Sequence, residues 1–520
     1  MAIFDVLREP WIPALRPDGS AVTLGILDFL EQAHELKTLA SESPLENYAV
    51  FRLLCAFLMD AYTPKHIEDR QQILANGHFD PDVLRNYIDL CLKEGVSFNL
   101  FDENRPFMQS RKDPKVDKDT VPVAVLVHAL PSGNNHIHFD HRLSGEHRLT
   151  AAEALRTLCA AYVFSVGKGR GYYPYVNGRH CTYVVYEGQT LFEALTVGII
   201  SKGECEKNIP WDDPPVAWRN FDEPIPEKKE ESNKKASPVS LLAAFTWQPL
   251  RVTLMPTSEG EKLYIREIYR QSSQKSAKEA VWVDPHVPYE YKKVKNEWFP
   301  IKPLQERETW RDIGPVTAAD TDKANTRQPL ILANYKRLLR KRTSGLLNVH
   351  LTALVTDQAK YLSIQDDSLA LPAPFFEEPA LGRLLRNDLN DIETMASYIS
   401  SSYNKPAEKN HSQSNNKKQN KRLSSEIVTE LQSQFFSTMY EKLFSEYFPY
   451  VAKIDRNQDN WGGLAGEYLD NILKKMRDLV MHQGAQRFAS NARALRDMAA
   501  AEADFVRDCG SLLKKRRENR

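Results

Sequence analysis

The first part of the chain mixes helical and strand periodicity. Apolar positions at helical spacing over 46–62 predict a helix, and a second helix is predicted over 150–164, with Thr150 as its N-cap. Strict alternation over 347–355 predicts a strand, and further strands are predicted over 180–186, 243–254 and 262–269. Because the strands do not alternate evenly with helices, we expect an irregular mixed α+β domain over residues 1–375 rather than a doubly wound sheet.

From residue 376 onward the pattern becomes wholly helical. Four stripes of apolar residues, three or four positions apart, begin at Leu381, Ile427, Leu464 and Phe488. Four helices with one apolar side each predict an all-α four-helix bundle over 376–520. Pro449 should end the second helix, and the polar, Asn/Lys-rich stretch 403–425 should form a flexible loop.

Composition narrows the class of protein. Hydrophobic residues make up 42% and charged residues 27% of the chain, which is typical of a globular protein in water. No apolar run approaches the ~20 residues of a membrane-spanning helix, and residues 1–13 lack the pattern of a secretion signal. We therefore expect a cytoplasmic protein without a membrane partner. The six cysteines form no C-x-x-C pair, so neither a disulfide framework nor a cysteine-rich zinc site is expected.

The charge balance leaves two alternatives open. The chain has 69 basic and 69 acidic residues. A protein that holds nucleic acid by itself usually carries a basic excess, because neutralising phosphates supplies much of the affinity. Either the protein has no nucleic-acid role, or its basic contacts are local and a larger assembly supplies the rest.

Histidines supply the main candidate for catalysis. The cluster comprises His136, His138, Asp140 and His141. A histidine pair separated by one residue can bind a metal, but none of the common hydrolase, kinase or phosphate-loop motifs is present. We therefore expect no catalytic site, no metal and no cofactor. The alternative is a metal-dependent nuclease or hydrolase that uses this cluster. Asp366 and Asp367 are not a candidate pair, since neighbouring side chains on a strand point apart.

Three basic or polar segments could contact nucleic acid. The first, the glycine segment, comprises Gly167, Lys168, Gly169, Arg170 and Gly171, where glycines permit close backbone approach and two cations could meet phosphates. The second, the polar segment, runs from Asn134 to Arg148 and offers Asn134, Asn135, His136, His138, Arg142 and Arg148. The third is a predicted helix over 330–342 that ends in a basic run. Flexible turns and plain surface loops are the alternative interpretation of the first two.

Four short motifs occur in an order that is typical of one family. They are Arg8–Pro13 (REPWIP), Arg105–Gln109 (RPFMQ), Phe245–Pro249 (FTWQP) and a turn with Trp282, Asp284, Pro285, His286 and Pro288. Together with the helical C-terminal part, they make the sequence resemble the CasA-type large subunits of the type I-E CRISPR Cascade complex. Each motif alone is modest, but the ordered set of motifs is specific.

The resemblance implies a function without catalysis. CasA-type subunits recognise the protospacer-adjacent motif (PAM) in double-stranded DNA, promote duplex opening and target loading, and recruit a helicase-nuclease in antiviral defence. The implied partners are the backbone, small and 5′-handle-binding subunits, the 5′ end of the CRISPR RNA, and target DNA. Base pairing with the guide would read the rest of the target, which removes the need for a basic excess.

The resemblance also implies roles for particular residues. The glycine segment would approach the PAM duplex, and the polar segment would touch the guide's 5′ end and neighbouring subunits. Gln358, between Asp357 and Lys360, would act as a wedge in the duplex; we call Asp357–Lys360 the glutamine turn. A lysine that reads the minor groove is expected among Lys262, Lys275 and Lys278, and the sequence leaves that choice, and the PAM itself, open.

Overall fold

The structure, a computed structural model, describes most of the chain in two units. The described residues are 2–519 apart from 115–116, 131–146, 167–174, 179, 221–238, 261, 273–281, 306, 319–324, 340–344, 358–359, 405–424, 456 and 488–491. The first unit comprises Met1–Thr309, Asn325–Arg342 and Asn348–Leu369, and the second comprises Trp310–Ala324, Thr343–Leu347 and Ala370–Arg520.

The first part of the chain is mixed in secondary structure. Its helices are α1 (Ile26–Glu31), α2 (Pro44–Tyr62), α3 (Ile67–Asn76), α4 (Pro81–Lys93), α5 (Ala151–Val163), α6 (Leu191–Gly198), α7 (Leu241–Phe245), α8 (Leu330–Ala333) and α9 (Tyr335–Leu339). The strands are β1 (Ile12–Leu15), β2 (Ala21–Leu24), β3 (Thr38–Leu39), β4 (Val121–Pro122), β5 (Leu149–Thr150), β6 (Tyr183–Tyr186), β7 (Leu250–Glu259), β8 (Lys262–Ser272), β9 (Tyr289–Lys292), β10 (Glu297–Pro300), β11 (Thr326–Arg327), β12 (Leu346–Asp357) and β13 (Lys360–Pro372).

These strands form small separate sheets rather than one large sheet. Their orders are β2-β1-β3, β10-β9-β11, β13-β12-β6, and a fourth sheet in which β8 pairs with β4, β5 and β7. The β7–β8 hairpin is long, with a register shift between Met255 and Pro256, where a proline cannot donate to the ladder. The irregular α+β fold class is thereby confirmed.

Most of the predicted elements occur where the pattern placed them. The helix over 46–62 is α2, and α5 follows Thr150, whose hydroxyl accepts from the Glu153 amide while the Glu153 carboxylate accepts from the Thr150 amide. The prediction of a strand over 243–254 is wrong in its first residues. Ser240 caps α7 by accepting from the Ala243 amide, and the strand begins only at Leu250. The predicted helix over 330–342 is two short helices, α8 and α9, separated at Asn334.

The second unit contains four long helices. They are α11 (Pro379–Tyr403), α12 (Ser425–Lys442), α14 (Trp461–Arg487) and α15 (Ala492–Glu518), with the short helices α10 (Pro374–Glu377) and α13 (Phe448–Lys453) between them in sequence. Helix α11 packs on α12 and α15, and α14 packs on the same two helices. This closed set of neighbours is the predicted all-α four-helix bundle.

Pro449 does not end the second bundle helix, contrary to the sequence prediction. A π-helical turn, Leu443–Tyr447, continues α12 and leads directly into α13, which runs to Lys453. Pro449 lies in the first turn of α13, where its missing amide hydrogen costs nothing. The wider π turn absorbs the break that a proline would otherwise impose.

A buried arginine ties the bundle helices together. Arg516 on α15 donates from Nε to Asp470 on α14 at 2.8 Å and from Nη2 to Asp388 on α11 at 2.8 Å, and it also pairs with Asp391. Asp388 accepts a further hydrogen bond from the Tyr447 hydroxyl at 2.6 Å. A set of hydrogen-bonded buried charges of this kind fixes the helices in one relative arrangement.

A second buried ion pair lies at the centre of the first unit. Arg52 on α2 and Asp284 in the Trp282–Pro288 motif approach to 2.9 Å, and neither side chain is exposed. Arg52 also donates to the hydroxyls of Tyr48 at 3.1 Å and Tyr175 at 2.9 Å, and its guanidinium lies 4.0 Å from the centre of the Phe245 ring. Burial acts to raise the pKa of Asp284, but the charge and hydrogen bond of Arg52 together with the contacts of His286 outweigh it, and the pKa lies below its ordinary value.

The same motif supplies a neutral histidine to this cluster. Burial lowers the pKa of His286 to about 4, so its ring carries no charge. Its Nε2 lies 2.7 Å from the Gly198 carbonyl, which makes Nε2 the donor, and its Nδ1 then accepts from the Tyr48 hydroxyl at 3.0 Å. Trp282 donates to Asn177 at 2.7 Å, and Asn177 donates to Asp284 at 3.1 Å. The Trp282–Pro288 motif, one of the four that carry the family resemblance, is thus part of the buried core.

A partly exposed charge cluster lies on the sheet of β6, β12 and β13. His350 on β12 contacts Asp366 at 2.7 Å through Nε2 and Ser368 at 2.9 Å and Glu187 at 3.3 Å through Nδ1. Burial acts to lower the pKa of His350, but the two carboxylates outweigh it and raise the pKa to about 9. Asp367, by contrast, accepts from Thr309 at 2.5 Å, so the two aspartates do point apart as predicted.

Two further predictions concern cysteines and membranes. The six cysteines are free, and all but Cys205 are buried, as expected for small apolar side chains. Among the described residues, no helix has the length and apolar composition needed to cross a membrane.

Replacing Arg52 by Met should destabilise the first unit by about 3–5 kcal/mol, because Asp284 would remain buried without its counter-ion. Urea unfolding followed by tryptophan fluorescence measures this loss in the transition of the first unit. The control is Arg85→Met, which removes an ion pair with Glu31 from an arginine side chain that is 57% exposed. We expect that control to change stability by less than about 0.5 kcal/mol. A loss as small for Arg52→Met as for the control would contradict the central role of the buried pair.

Replacing His350 by Asn should destabilise the protein in a pH-dependent way. A histidine whose pKa is raised on folding stabilises the folded state fully below its unfolded pKa, and that stabilisation is lost as the pH rises through about 9. We expect the variant to lose roughly 2 kcal/mol near pH 6 and much less near pH 10. Urea unfolding of both proteins at the two pH values tests this, and an equal loss at both values would count against a charged His350.

Candidate nucleic-acid interface

The described residues on both sides of the stretch 167–174, which contains the glycine segment, are buried. Gly167, Lys168, Gly169, Arg170 and Gly171 themselves lie outside the described residues. On one side, Val166 is buried, and on the other side Tyr175 is buried and receives the hydrogen bond from Arg52. The Tyr175 hydroxyl in turn donates to the Ala244 carbonyl. The buried ion pair therefore holds the residue that follows this segment.

Phe164 holds the preceding residues in the same way. Its ring packs edge-on against Tyr183 at 5.6 Å and against Tyr48 at 6.1 Å, both members of the cluster around Arg52. Edge-to-face aromatic pairs of this kind add to the energy of burial. Phe164 and Tyr175, on either side of the stretch 167–174, therefore contact the same buried cluster around Arg52, which sets the distance between them.

His128 connects three of the predicted contact elements at their bases. Its Nε2 lies 3.3 Å from the Phe164 carbonyl, and its ring centre lies 5.1 Å from that of Tyr361 on β13. His128 precedes the undescribed stretch 131–146, Phe164 precedes 167–174, and Tyr361 follows 358–359. The bases of the polar segment, the glycine segment and the glutamine turn therefore meet around one imidazole.

The charge of Arg270 also acts on Tyr361. Burial raises the pKa of Tyr361 to about 12, against the opposing charge of Arg270 on β8. Arg270 lies just before the undescribed stretch 273–281, which contains Lys275 and Lys278. We call the set His128, Phe164, Arg270 and Tyr361 the base cluster.

His180 adds a neutral ring beside the base cluster. Burial lowers the pKa of His180 to about 4, and the charges of His128 and Lys302 act in the same direction. His180 follows residue 179, the last undescribed position of that region. Because its ring is uncharged, His180 adds no positive charge beside the base cluster.

The glutamine turn lies at the end of two long paired strands. Asp357 ends β12 and Lys360 begins β13, and both are exposed, whereas Gln358 lies outside the described residues. On the other side of Tyr361 along β13, Gln365 donates to the Arg307 carbonyl at 2.7 Å and to the Leu304 carbonyl at 3.1 Å. The strand β13, which begins at the turn, is therefore anchored at Gln365.

Among the three candidate lysines, only Lys262 is described. It is exposed beside the turn of the β7–β8 hairpin, opposite Glu259 in the strand register. Gly260 in this turn has φ +64°, a left-handed conformation that favours glycine. Lys275 and Lys278 lie outside the described residues, so the choice of lysine stays open.

Arg148, at the end of the polar segment, lies against this hairpin. Its guanidinium forms an ion pair with Glu259 and sits 4.3 Å from the centre of the Tyr264 ring. Arg266 also contacts Glu259 at 2.6 Å, and its hydrogen bond is the main cause of the lowered pKa of this carboxyl group. Two arginines share one glutamate, so the described side chains leave a net positive charge at this position.

The other candidates of the polar segment cannot be placed. Asn134, Asn135, His136, His138 and Arg142 lie outside the described residues, as do Asp140 and His141 of the alternative metal site. Within the described part of the chain, no group of three or more His, Cys, Asp or Glu side chains is arranged to hold a metal ion.

The basic run after residue 335 is only partly described. Arg337 pairs with Glu68 at 2.9 Å, and its carbonyl accepts from Gln71 at 2.8 Å. Arg340, Lys341 and Arg342 lie outside the described residues. Arg337 therefore joins α9 to α3.

Sequence reasoning missed the base cluster and the arginine that supports it. His128, Arg270 and Tyr361 lie in no motif and far apart in sequence, and Arg52 lies inside an ordinary apolar helix. The available signal was Arg52 itself, since a charge on the buried face of a helix needs a partner elsewhere in the chain. Nothing in the sequence named that partner.

The comparisons with known proteins agree on one family. The model of the family described as CRISPR-associated protein Cse1 matches residues 5–482. A curated relative, the CRISPR-associated protein CasA/Cse1 of Thermus thermophilus, is 26% identical over 377 residues, which cover 71% of this chain and 71% of the relative.

Solved structures share the fold over nearly the whole length. The crystal structure of Cse1 from Acidimicrobium ferrooxidans aligns with a TM-score of 0.77 and 19% identity, covering 99% of both chains. A chain of a CRISPR RNA-guided surveillance complex aligns with a TM-score of 0.69 and 17% identity, covering 97% of this chain and all of the other. Because the family match spans most of the chain, the resemblance to CasA-type large subunits is confirmed, and the protein belongs to the CRISPR-associated Cse1 family.

Proposed function

We propose that this chain is the large subunit of a type I-E Cascade complex that recognises the PAM in double-stranded DNA. In this role it promotes duplex opening and target loading, and it recruits the helicase-nuclease that degrades the target. The observation that carries the proposal is the base cluster, where residues that flank the polar segment, the glycine segment and the glutamine turn contact one another. A contact surface built from separate loops requires such a common support, because each loop must meet the same short stretch of duplex.

The glutamine turn suits the opening of a duplex. Separating a base step costs a few kcal/mol, so a wedge must be stiff enough to transmit that load. Here the turn is carried by β12 and β13, and β13 is held by the Tyr361–His128 ring contact and the hydrogen bonds of Gln365. Gln358 offers an amide that can replace hydrogen bonds of the separated base pair.

The charge distribution suits a reader that works inside a larger complex. The net charge of the chain is zero, but Arg148 and Arg266 share Glu259 on the β7–β8 hairpin, and Lys262 lies opposite Glu259 in the strand register. A few local cations position the duplex, while guide pairing and the other subunits supply the remaining affinity. The related surveillance-complex chain is consistent with this division of labour.

Replacing Gln358 by Ala should lower target-DNA loading by about tenfold while the complex still assembles on its guide RNA, because only the wedge contact is lost. Loading is measured by duplex binding of the reconstituted complex across a PAM library. Gln72→Ala, an exposed glutamine on α3, is the matched control and should load normally. Normal loading by the Gln358 variant would remove the glutamine turn from the proposal.

The double variant Lys168→Ala/Arg170→Ala should weaken loading in a salt-dependent manner. Losing two phosphate contacts should reduce the slope of log affinity against log salt by about 2. The control Arg85→Ala/Lys93→Ala removes the same charge from the exposed side of α4 and should leave the slope unchanged. Equal slopes for both double variants would show that the glycine segment does not touch phosphates.

His128→Ala should also reduce loading, although His128 itself need not touch DNA. Removing the ring frees the bases of the polar segment, glycine segment and glutamine turn at once, so we expect a loss at least as large as the roughly tenfold loss for Gln358→Ala. His78→Ala, an exposed histidine, is the control. A double-mutant cycle between His128→Ala and Gln358→Ala distinguishes positioning from simple destabilisation, since independent effects would add.

A further inference from the structure

The first unit contains a cleft, and none of the residues that line it belongs to the base cluster. It has a volume of about 520 Å³. It is lined by the Arg105–Gln109 motif, by Thr246–Gln248 of the Phe245–Pro249 motif, and by residues around Trp218. Small-molecule sites commonly fall between ~300 and 1,000 Å³. The cleft is therefore large enough for one nucleotide and too small for a duplex.

The walls of the cleft are rigid. Trp218 stacks on Phe107 with ring centres 5.6 Å apart, and its indole nitrogen donates to the Tyr87 hydroxyl at 2.9 Å. Gln109 accepts from the Leu254 amide at 2.7 Å, which joins the first motif to β7. Thr246 accepts from the Ala217 amide at 2.9 Å, which joins the second motif to the Trp218 segment. A preformed site of this kind loses little entropy when a ligand binds.

The chemistry of the lining is specific. Among the described residues that line the cleft, Arg105 and Arg111 are positively charged and none is negatively charged. Trp247 contributes a half-buried indole, and Gln248 beside it contributes an amide that can both donate and accept. Guanidinium groups match phosphate, an indole face matches a base, and an amide matches a base edge.

Two buried polar atoms in the cleft lining also lack a partner. The Trp247 indole nitrogen and the Ser110 hydroxyl have no hydrogen-bond partner among the described residues, and Ser110 as a whole is only 4% exposed. Buried polar groups are almost always paired, so these two atoms leave hydrogen-bonding capacity at the cleft wall for a bound water or ligand.

We propose that this cleft binds a single unpaired nucleotide of a nucleic-acid strand. The base packs on Trp247 with its edge toward Gln248, and the phosphate lies toward Arg105 and Arg111. The inference goes beyond PAM recognition, because it concerns one unstacked nucleotide rather than a duplex and uses none of the residues of the base cluster. An acidic peptide would also form ion pairs with the two arginines, but it has no base to stack on the indole face or to hydrogen-bond with the amide.

The test uses the full chain labelled with 5-fluorotryptophan and observed by fluorine NMR. Trp247→Phe identifies the Trp247 signal. The probes are the four ribonucleoside monophosphates, their deoxy counterparts, inorganic phosphate and an acidic decapeptide. We expect nucleotides to shift the Trp247 signal in a saturable way, whereas phosphate alone should not. Tighter binding of the ribose forms would point to guide RNA, and equal binding would point to either strand.

Variants locate the phosphate contact. Arg111→Ala should weaken nucleotide binding by about tenfold, since it removes a charge-assisted contact. Lys112→Ala is the matched control, because Lys112 lies 4.5 Å from the centre of the Tyr269 ring and is not part of the cleft lining. The proposal fails if no nucleotide shifts the Trp247 signal at ~20 mM, far above the ~1 mM at which even weak specific binding is seen. It also fails if Arg111→Ala and Lys112→Ala bind alike, or if only the peptide binds. Because the isolated chain is used, failure here leaves PAM recognition by the complex untouched.

Discussion

The buried pair of Arg52 and Asp284 is the constraint on which the rest of the first unit depends. Two charges without access to water need close mutual contact and further hydrogen bonds to offset their loss of hydration. Tyr48, Tyr175 and the His286 turn supply those hydrogen bonds, and they come from distant parts of the chain. Packing around one guanidinium therefore fixes helix α2, the motif turn and the residue that follows the glycine segment in one arrangement.

That arrangement bears on the proposed nucleic-acid surface, which has to work in a protein without net charge. The stretch that contains the glycine segment is flanked by the buried aromatic residues Phe164 and Tyr175, and residues that flank the polar segment and the glutamine turn lie at the base cluster. In the proposed function, the core positions the contact elements, and their exposed residues contact the nucleic acid. Under the proposed function few cations are needed, because guide pairing and the other subunits supply the remaining affinity.

The sequence predicted the long elements well and the short ones poorly. The apolar stripes of the bundle and of α2 extend over many turns, so their period is unambiguous. The errors fall at α7, at Pro449 and in the predicted helix over 330–342, which is broken at Asn334, and at each place a few residues decide the structure. A five-residue helix such as α7 has too little length for its period to be distinguished from that of a strand.

The sequence by itself determined the fold class, the family and the positions of the candidate contact segments, because periodicity and ordered motifs are local properties. It could not determine that the Trp282–Pro288 motif is a core element, since its partner Arg52 is 232 residues away. Nor could it reveal the base cluster or the nucleotide-sized cleft, whose members have no shared local pattern. Only the tertiary structure brought these residues together, because burial and hydrogen bonding act between side chains that the chain order keeps apart.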